Sequence, residues 1–136
     1  MATYTKGKSV KLTRNFKSTE FDCKGKGCCS KTPLDIELIG YAQVIRNYFN
    51  KPITINSGYR CQKHNKSVGG AKNSRHTQGM ACDIVVKGIK PKEVAKFAET
   101  IGIRGIGLYD SFVHIDSRES KFYWKGHEQK SVKTFK

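Results

Sequence analysis

Residues 74–86 read SRHTQGMACDIVV, and the fold turns on how this stretch divides. Ala81 to Val86 is an apolar run of strand length broken by a single acid, Asp83. Ahead of it, Tyr59 to Gly79 is polar and glycine-rich and holds His64 and His76. That segment reads as one long loop, and loops of such length in compact domains usually carry function. A carboxylate inside a buried strand must be paired, hydrogen-bonded or bound to a cation, because burying it alone costs several kcal/mol. The stretch therefore predicts a buried strand fed by a functional loop.

Upstream, Lys51 to Asn56 reads as a short strand running into the turn Ser57-Gly58. Before that strand, Thr32-Pro33-Leu34-Asp35 supplies an N-cap hydroxyl, a proline at the first helical position and an acid in the first turn. Leu34, Leu38, Tyr41, Ile45 and Tyr48 then recur at helical spacing, predicting a helix that ends near Asn50. Asn15 to Ser30 reads as irregular structure anchored by Phe16 and Phe21, and residues 1–14 as a basic arm or edge strand. Downstream, Pro91 opens a second helix with Val94, Phe97, Ala98 and Ile101 on one face. Ile106 to Tyr109 and Phe112 to Asp116 read as two strands joined at Asp110-Ser111. Phe122, Tyr123 and Trp124 can cover one end of a sheet, with Trp124 as a core cover, before a basic, frayed end. The class is α+β: a single domain over 1–136, with a core of 15–124, flexible ends at 1–14 and 125–136, and a small central antiparallel sheet flanked by helices.

The chain has 136 residues, the size of one domain. No apolar run reaches the roughly 18–20 residues of a membrane span, so an integral membrane protein is not expected. MATYTKGKSVKLTRNF holds no apolar signal segment, which predicts synthesis in a reducing cytoplasm without a signal peptide. A net charge of +15 implies an anionic partner: nucleic acid, an acidic membrane surface or a cell-wall polymer. No helix-turn-helix, basic helical stripe or aromatic RNA-binding strand is present, so specific nucleic-acid binding is the weakest of these. The five cysteines cannot all pair within the chain. The cluster CKGKGCC (23–29) has too few neighbouring ligands for a zinc knuckle, so buried or free thiols are the default, with a structural metal or a disulfide as the alternative.

His76, Asp83 and His114 stand where packing alone would not put them. Two imidazoles and a carboxylate, with water in the fourth position, make the open tetrahedral set of a hydrolytic zinc site. Separately satisfied core polar groups are the competing reading. Only adjacent strands could bring His76 and His114 together.

At this point the residues resemble a family. Ser74-Arg75-His76-Thr77-Gln78-Gly79-Met80-Ala81-Cys82-Asp83 is similar to the SxHxxGxAxD signature of the zinc D-Ala-D-Ala carboxypeptidase family, peptidoglycan peptidases that share a fold with the hedgehog domain and with phage endolysins. Phe112-Val113-His114-Ile115-Asp116 resembles the second motif and Ser57-Gly58-Tyr59-Arg60 the upstream one, with His64-Asn65 and Val68-Gly69-Gly70-Ala71 in order between them.

The resemblance implies a hedgehog/DD-peptidase-like fold and one zinc ion held by His76, Asp83 and His114. It implies Arg60 at the oxyanion or a substrate carboxylate, and Ser74 and His64 near the substrate. Some relatives carry an acid or histidine two or three positions before the last ligand, where Ser111 and Phe112 stand here. Asp116, on the same strand face as His114, is the first candidate base and Asp110 the second; Asp116 can equally orient a ligand histidine. His127 reads as merely exposed. The expected function is a monomeric zinc peptidase acting on peptidoglycan stems or cross-links at the cell wall, as a phage or prophage endolysin drawn to anionic envelope polymers. A non-catalytic wall-binding module of the same fold is the alternative.

Overall fold

The structure, a computed structural model, describes residues Met1–Lys136. A two-stranded antiparallel hairpin pairs β1 (Ala2–Thr5) with β2 (Lys31–Leu34). The main sheet has six strands: β3 (Ile53–Ser57), β4 (Ala81–Val86), β5 (Gly105–Leu108), β6 (Val113–Asp116), β7 (Phe122–Lys125) and β8 (Lys130–Val132). Their order is β3-β4-β6-β5-β7-β8. All neighbours are antiparallel except β5 and β7, so the sheet is mixed rather than purely antiparallel. A crossover through the β6 strand makes that parallel pair, which the sequence pattern could not show. Three helices complete the fold: α1 (Ile36–Phe49), α2 (Gln62–Ser67) and α3 (Pro91–Thr100).

Strand alternation gives the sheet two chemically different faces. Ile55, Cys82, Ile84, Val86, Ile106, Val113, Ile115 and Tyr123 point to one side and join Leu38, Ala42, Ile45, Val94 and Ala98 of α1 and α3 in a single apolar core. Asp83, His114, Asp116 and Trp124 fall on the opposite side, at alternate positions of the same strands. The helical face therefore holds the protein together, and the other face is left for chemistry.

Several expectations need correction. Thr32 does not cap α1: residues 31–34 pair with β1, and Thr32 is buried with its hydroxyl donating to Asp22 Oδ1 at 2.6 Å. Pro33 is tolerated because this hairpin strand needs no ladder donor there. Asp35 is the cap, its Oδ1 accepting from the Glu37 N–H at 3.0 Å. The buried stripe of α1 is Leu38, Ile39, Ala42 and Ile45, while Tyr48 is 64% exposed and stacks on Phe97. Within the long loop, 62–67 forms α2 and Arg75–Gln78 a 3-10 turn.

Both chain ends contribute strands, β1 to the hairpin and β8 to the main sheet. Beyond β8, Phe135 is 2% exposed against Tyr123, and its N–H donates to Glu99 Oε1 at 2.8 Å. Phe135→Ala should therefore destabilise the protein by about 3–5 kcal/mol in chemical denaturation. A change of about 0.5 kcal/mol or less, the range of an exposed side chain, would mean that this end is frayed.

Candidate metal centre and active-site cleft

One row of residues crosses the sheet in register. Ser57 lies opposite Asp83, Asp83 opposite His114, His114 opposite Gly107 and Gly107 opposite Trp124. An irregularity between Ile55 and Ser57 in β3 sets the first of these pairings. Directly opposed residues share a face, so the register itself puts Asp83 beside His114. His76 arrives from outside the sheet on the 3-10 turn, whose start is capped by the Ser74 hydroxyl accepting from the His76 N–H at 3.2 Å. Gly79, at φ +72°, ends the turn against Pro33, where a Cβ would meet the Pro33 carbonyl oxygen at 2.2 Å.

Three ligand atoms converge there. His76 Nε2 lies 3.2 Å and His114 Nδ1 3.1 Å from Asp83 Oδ1. Tetrahedral ligands about 2.0–2.1 Å from zinc would stand about 3.3 Å apart, so the set fits the ion with little movement. The remaining ring nitrogens are engaged on the outside. His76 Nδ1 donates to the Gly58 carbonyl at 2.8 Å, and His114 Nε2 donates to Asp116 Oδ2 at 2.7 Å. In the neutral rings these partners fix each tautomer so that the inward nitrogen carries the lone pair. Two histidines and one carboxylate can thus hold a divalent metal and leave a coordination position open.

The electrostatics follow from burial. Burial pushes the Asp83 carboxyl up, but hydrogen bonds from His114 and His76 overcome it and hold the group well below the usual carboxylate range. Burial lowers the His76 ring beyond what Asp83 restores. For His114, burial also lowers the ring, yet Asp116 and Asp83 together raise it to about 9.

Asp116 does not face the cleft. It is 0% exposed, and Arg118 clasps it through Nε to Oδ1 at 2.8 Å and Nη2 to Oδ2 at 2.7 Å. With its oxygens committed to Arg118 and His114, it orients a ring and has no lone pair aimed at a substrate. Gly105 is the reason that it fits: a Cβ there would stand 1.8 Å from Asp116 Oδ1. Asp110 is exposed and lines a neighbouring groove, outside the cleft. His64 sits on α2 against Gly25, also away from the cleft.

A cleft of about 640 Å³ opens over His76, Asp83 and His114. Arg60 enters it from the segment after β3: its Nε donates to Ser57 Oγ at 3.0 Å, its Nη1 to Asn65 Oδ1 at 3.2 Å, and its Nη2 lies 3.7 Å from Asp83 Oδ2. Ser74 lines the same cleft. The facing wall is aromatic. Trp124 packs against the His114 ring at 4.9 Å between centroids and donates its indole N–H to the Tyr109 hydroxyl at 3.0 Å. Trp124 is nearly as buried as a core residue, but it covers the site face rather than the helical core. Gly107 leaves room for its indole, since a Cβ would meet it at 2.4 Å. Arg118 stacks over Trp124 at 5.2 Å. His127, exposed as expected, stands on the β7–β8 turn and also lines the cleft beside Tyr109. Sequence reasoning missed Asn65, Arg118 and His127 as site residues. Only Arg118 left a readable trace, because it stands two positions beyond Asp116.

The Peptidase M15 family model matches residues 12–116. The peptidoglycan L,D-endopeptidase MepK of Escherichia coli is 37% identical over 81 residues, covering 54% of this chain and 44% of that protein. The probable peptidoglycan L,D-endopeptidase MepK of Haemophilus influenzae is 34% identical over 84 residues, 57% of this chain and 45% of that one. A zinc D-Ala-D-Ala carboxypeptidase of Streptomyces albus G is 54% identical over 35 residues, 26% of this chain and 14% of that one. The chain spans less than half the length of these curated relatives. With a match that runs through most of its length and through the segments that carry His76, Asp83 and His114, the chain belongs to the M15 peptidase family.

Proposed function

We propose that the chain is a zinc-dependent peptidase that hydrolyses a peptide bond of the peptidoglycan stem or cross-link. The observation that carries this reading is the convergence of His76 Nε2, Asp83 Oδ1 and His114 Nδ1 on one point, with both imidazole tautomers fixed from behind. One zinc ion held there would supply a Lewis acid and bring the pKa of water towards neutrality. Arg60, tethered by Ser57 and Asn65, presents a planar guanidinium beside that point, suited to a developing oxyanion or a substrate carboxylate. Arg60, Arg75 and Arg118 line the cleft against a single acid, Asp83, which favours the carboxylate-bearing peptides of bacterial wall stems. Phe112, Phe122 and Trp124 give the substrate an apolar wall.

Among the cleft side chains outside the ligand set, His127 is the one imidazole, so we assign it the proton transfer between water and leaving amine. The peptidoglycan-directed names of the relatives and the charge of +15 support action at an anionic bacterial envelope. A phage or prophage endolysin, made in the host cytoplasm and acting at the wall as a monomer, is the setting we infer.

Metal-free His114 keeps its proton up to about pH 9, so zinc must displace that proton at any lower pH. Zinc affinity should consequently rise about tenfold per pH unit from pH 6.5 and level off near 9, as measured by competition with a chromogenic chelator. Above pH 9, where that proton no longer competes, Asp116→Asn should weaken zinc binding by about 10–100-fold, because it removes the partner that orients the ring. An affinity flat across that pH range would mean that the metal-free His114 ring is already neutral there.

Peptidoglycan digestion followed by mass analysis of released fragments tests the activity. Release should stop with chelator, return with zinc and be absent in His114→Ala. His127→Ala should keep its zinc and lose about 10²–10⁴-fold in kcat. A wild-type protein that bound wall but released nothing with any metal would be a non-catalytic wall-binding module.

A further inference from the structure

The cysteine-rich loop forms a second convergence of metal-ligand atoms, away from the cleft. Cys23 follows the 3-10 turn Ser18–Phe21, Cys28 and Cys29 close the glycine-rich loop, and Cys61 sits at the N-cap of α2. The Sγ atoms of Cys23 and Cys28 are 3.7 Å apart, those of Cys23 and Cys61 3.8 Å, and those of Cys28 and Cys29 4.0 Å. All four lie within 4.8 Å of one another. Four thiolates about 2.3 Å from a zinc ion would sit about 3.8 Å apart at the corners of a tetrahedron. A disulfide needs about 2.05 Å, which none of these pairs approaches.

We propose that Cys23, Cys28, Cys29 and Cys61 bind a structural zinc ion as a closed tetrathiolate site, separate from the ion of the cleft. The surroundings suit thiolates. The His64 N–H donates to Cys61 Sγ at 3.4 Å, as backbone amides do around bound sulfur. Lys6 reaches Cys29 Sγ at 4.0 Å and donates to the Gly25 carbonyl at 2.5 Å, while Lys24 and Lys26 stand in the loop itself. Their positive charge offsets the net negative charge of zinc bound by four thiolates. The loop is closed tightly on the sulfur cluster, since a Cβ on Gly25 would stand 2.4 Å from Cys28 Sγ.

The loop also has little else to hold it. Between Phe21 and Thr32 it offers glycine, lysine, serine, one acid and the cysteines, with no aliphatic or aromatic side chain to bury. Ordering that many residues costs about 1–2 kcal/mol each in backbone entropy, and a closed metal site supplies what an apolar core elsewhere does. The cluster also ties two functional segments together. The Phe21 carbonyl accepts from the Tyr59 N–H at 2.8 Å, and Gly58 packs on the Phe21 backbone, where a Cβ would come within 2.6 Å. Gly58 and Arg60 flank Tyr59, so this second ion would fix the segment that orients His76 and presents Arg60.

Elemental analysis of protein made with zinc and purified with a phosphine reductant tests the site. Wild type should carry about two zinc ions per chain, and His76→Ala/His114→Ala and Cys28→Ser/Cys29→Ser about one each. Cobalt added to metal-free His76→Ala/His114→Ala should produce an intense near-ultraviolet sulfur-to-cobalt charge-transfer band. That readout stands even if the cysteine variant fails to fold, and it does not depend on any peptidase activity. No metal and no such band in the histidine variant would overturn the proposal. So would iron in place of zinc, or an intact mass short by the hydrogens lost to disulfides.

Discussion

The hydrogen bond from His114 Nε2 to Asp116 Oδ2, 2.7 Å long and made to a carboxylate wholly out of solvent, is the constraint on which the site depends. It decides which nitrogen of His114 faces Asp83 and thereby what the cleft can bind. Holding a bare carboxylate at that depth requires compensation, and the molecule supplies it locally through the forked contact with Arg118. Arg118 in turn lies over Phe122 and Trp124, so the cation that neutralises Asp116 also braces the aromatic wall. Gly105 and Gly107, alternate residues of one strand, leave the space in which the carboxylate and the indole sit. Removing either glycine would strike the site before it struck the core.

The division of labour between the two sheet faces explains how a small domain keeps so many polar groups buried. The helical side has an uninterrupted apolar cluster, and the polar side is satisfied group by group, with no buried side-chain nitrogen or oxygen lacking a partner. His76 and His114 each have a partner behind them, Arg60 has Ser57 and Asn65, and Trp124 has Tyr109. Such a network is rigid because every member is held by another, which suits the fixed geometry of a metal centre.

Much of this was legible in the chain. Asp83 and His114 announced themselves as polar residues in apolar runs, and His76 through its place in the motif around them. The two long helices and the central strands followed from periodicity. What escaped has identifiable physical reasons. Asp116 lies on the expected strand face, but its burial depends on Gly105 of the neighbouring strand, which local pattern does not reveal. Thr32-Pro33 carries every mark of a helix start, yet pairing with β1 overrides the local preference and moves the cap to Asp35. The place of His127 at the cleft was unreadable because it depends on the parallel pairing of β7 with β5, which alternation along one strand does not show. The sulfur cluster was unreadable because its fourth member, Cys61, comes from a different part of the chain.

Asp35 carries a final consequence. One of its oxygens caps α1 and the other accepts the Ser117 hydroxyl at 2.6 Å, while its own N–H donates to Gly79 at 2.8 Å. A single residue, through its carboxylate and its backbone, thus closes the start of a helix, the end of the turn that carries His76 and the residue that follows Asp116. Serine and threonine serve as well as aspartate at many helix starts, but each has one side-chain oxygen where this junction uses two. The usual freedom of cap positions to drift is therefore withdrawn here. The first turn of α1 cannot loosen without loosening both of the segments that bring imidazoles to the cleft.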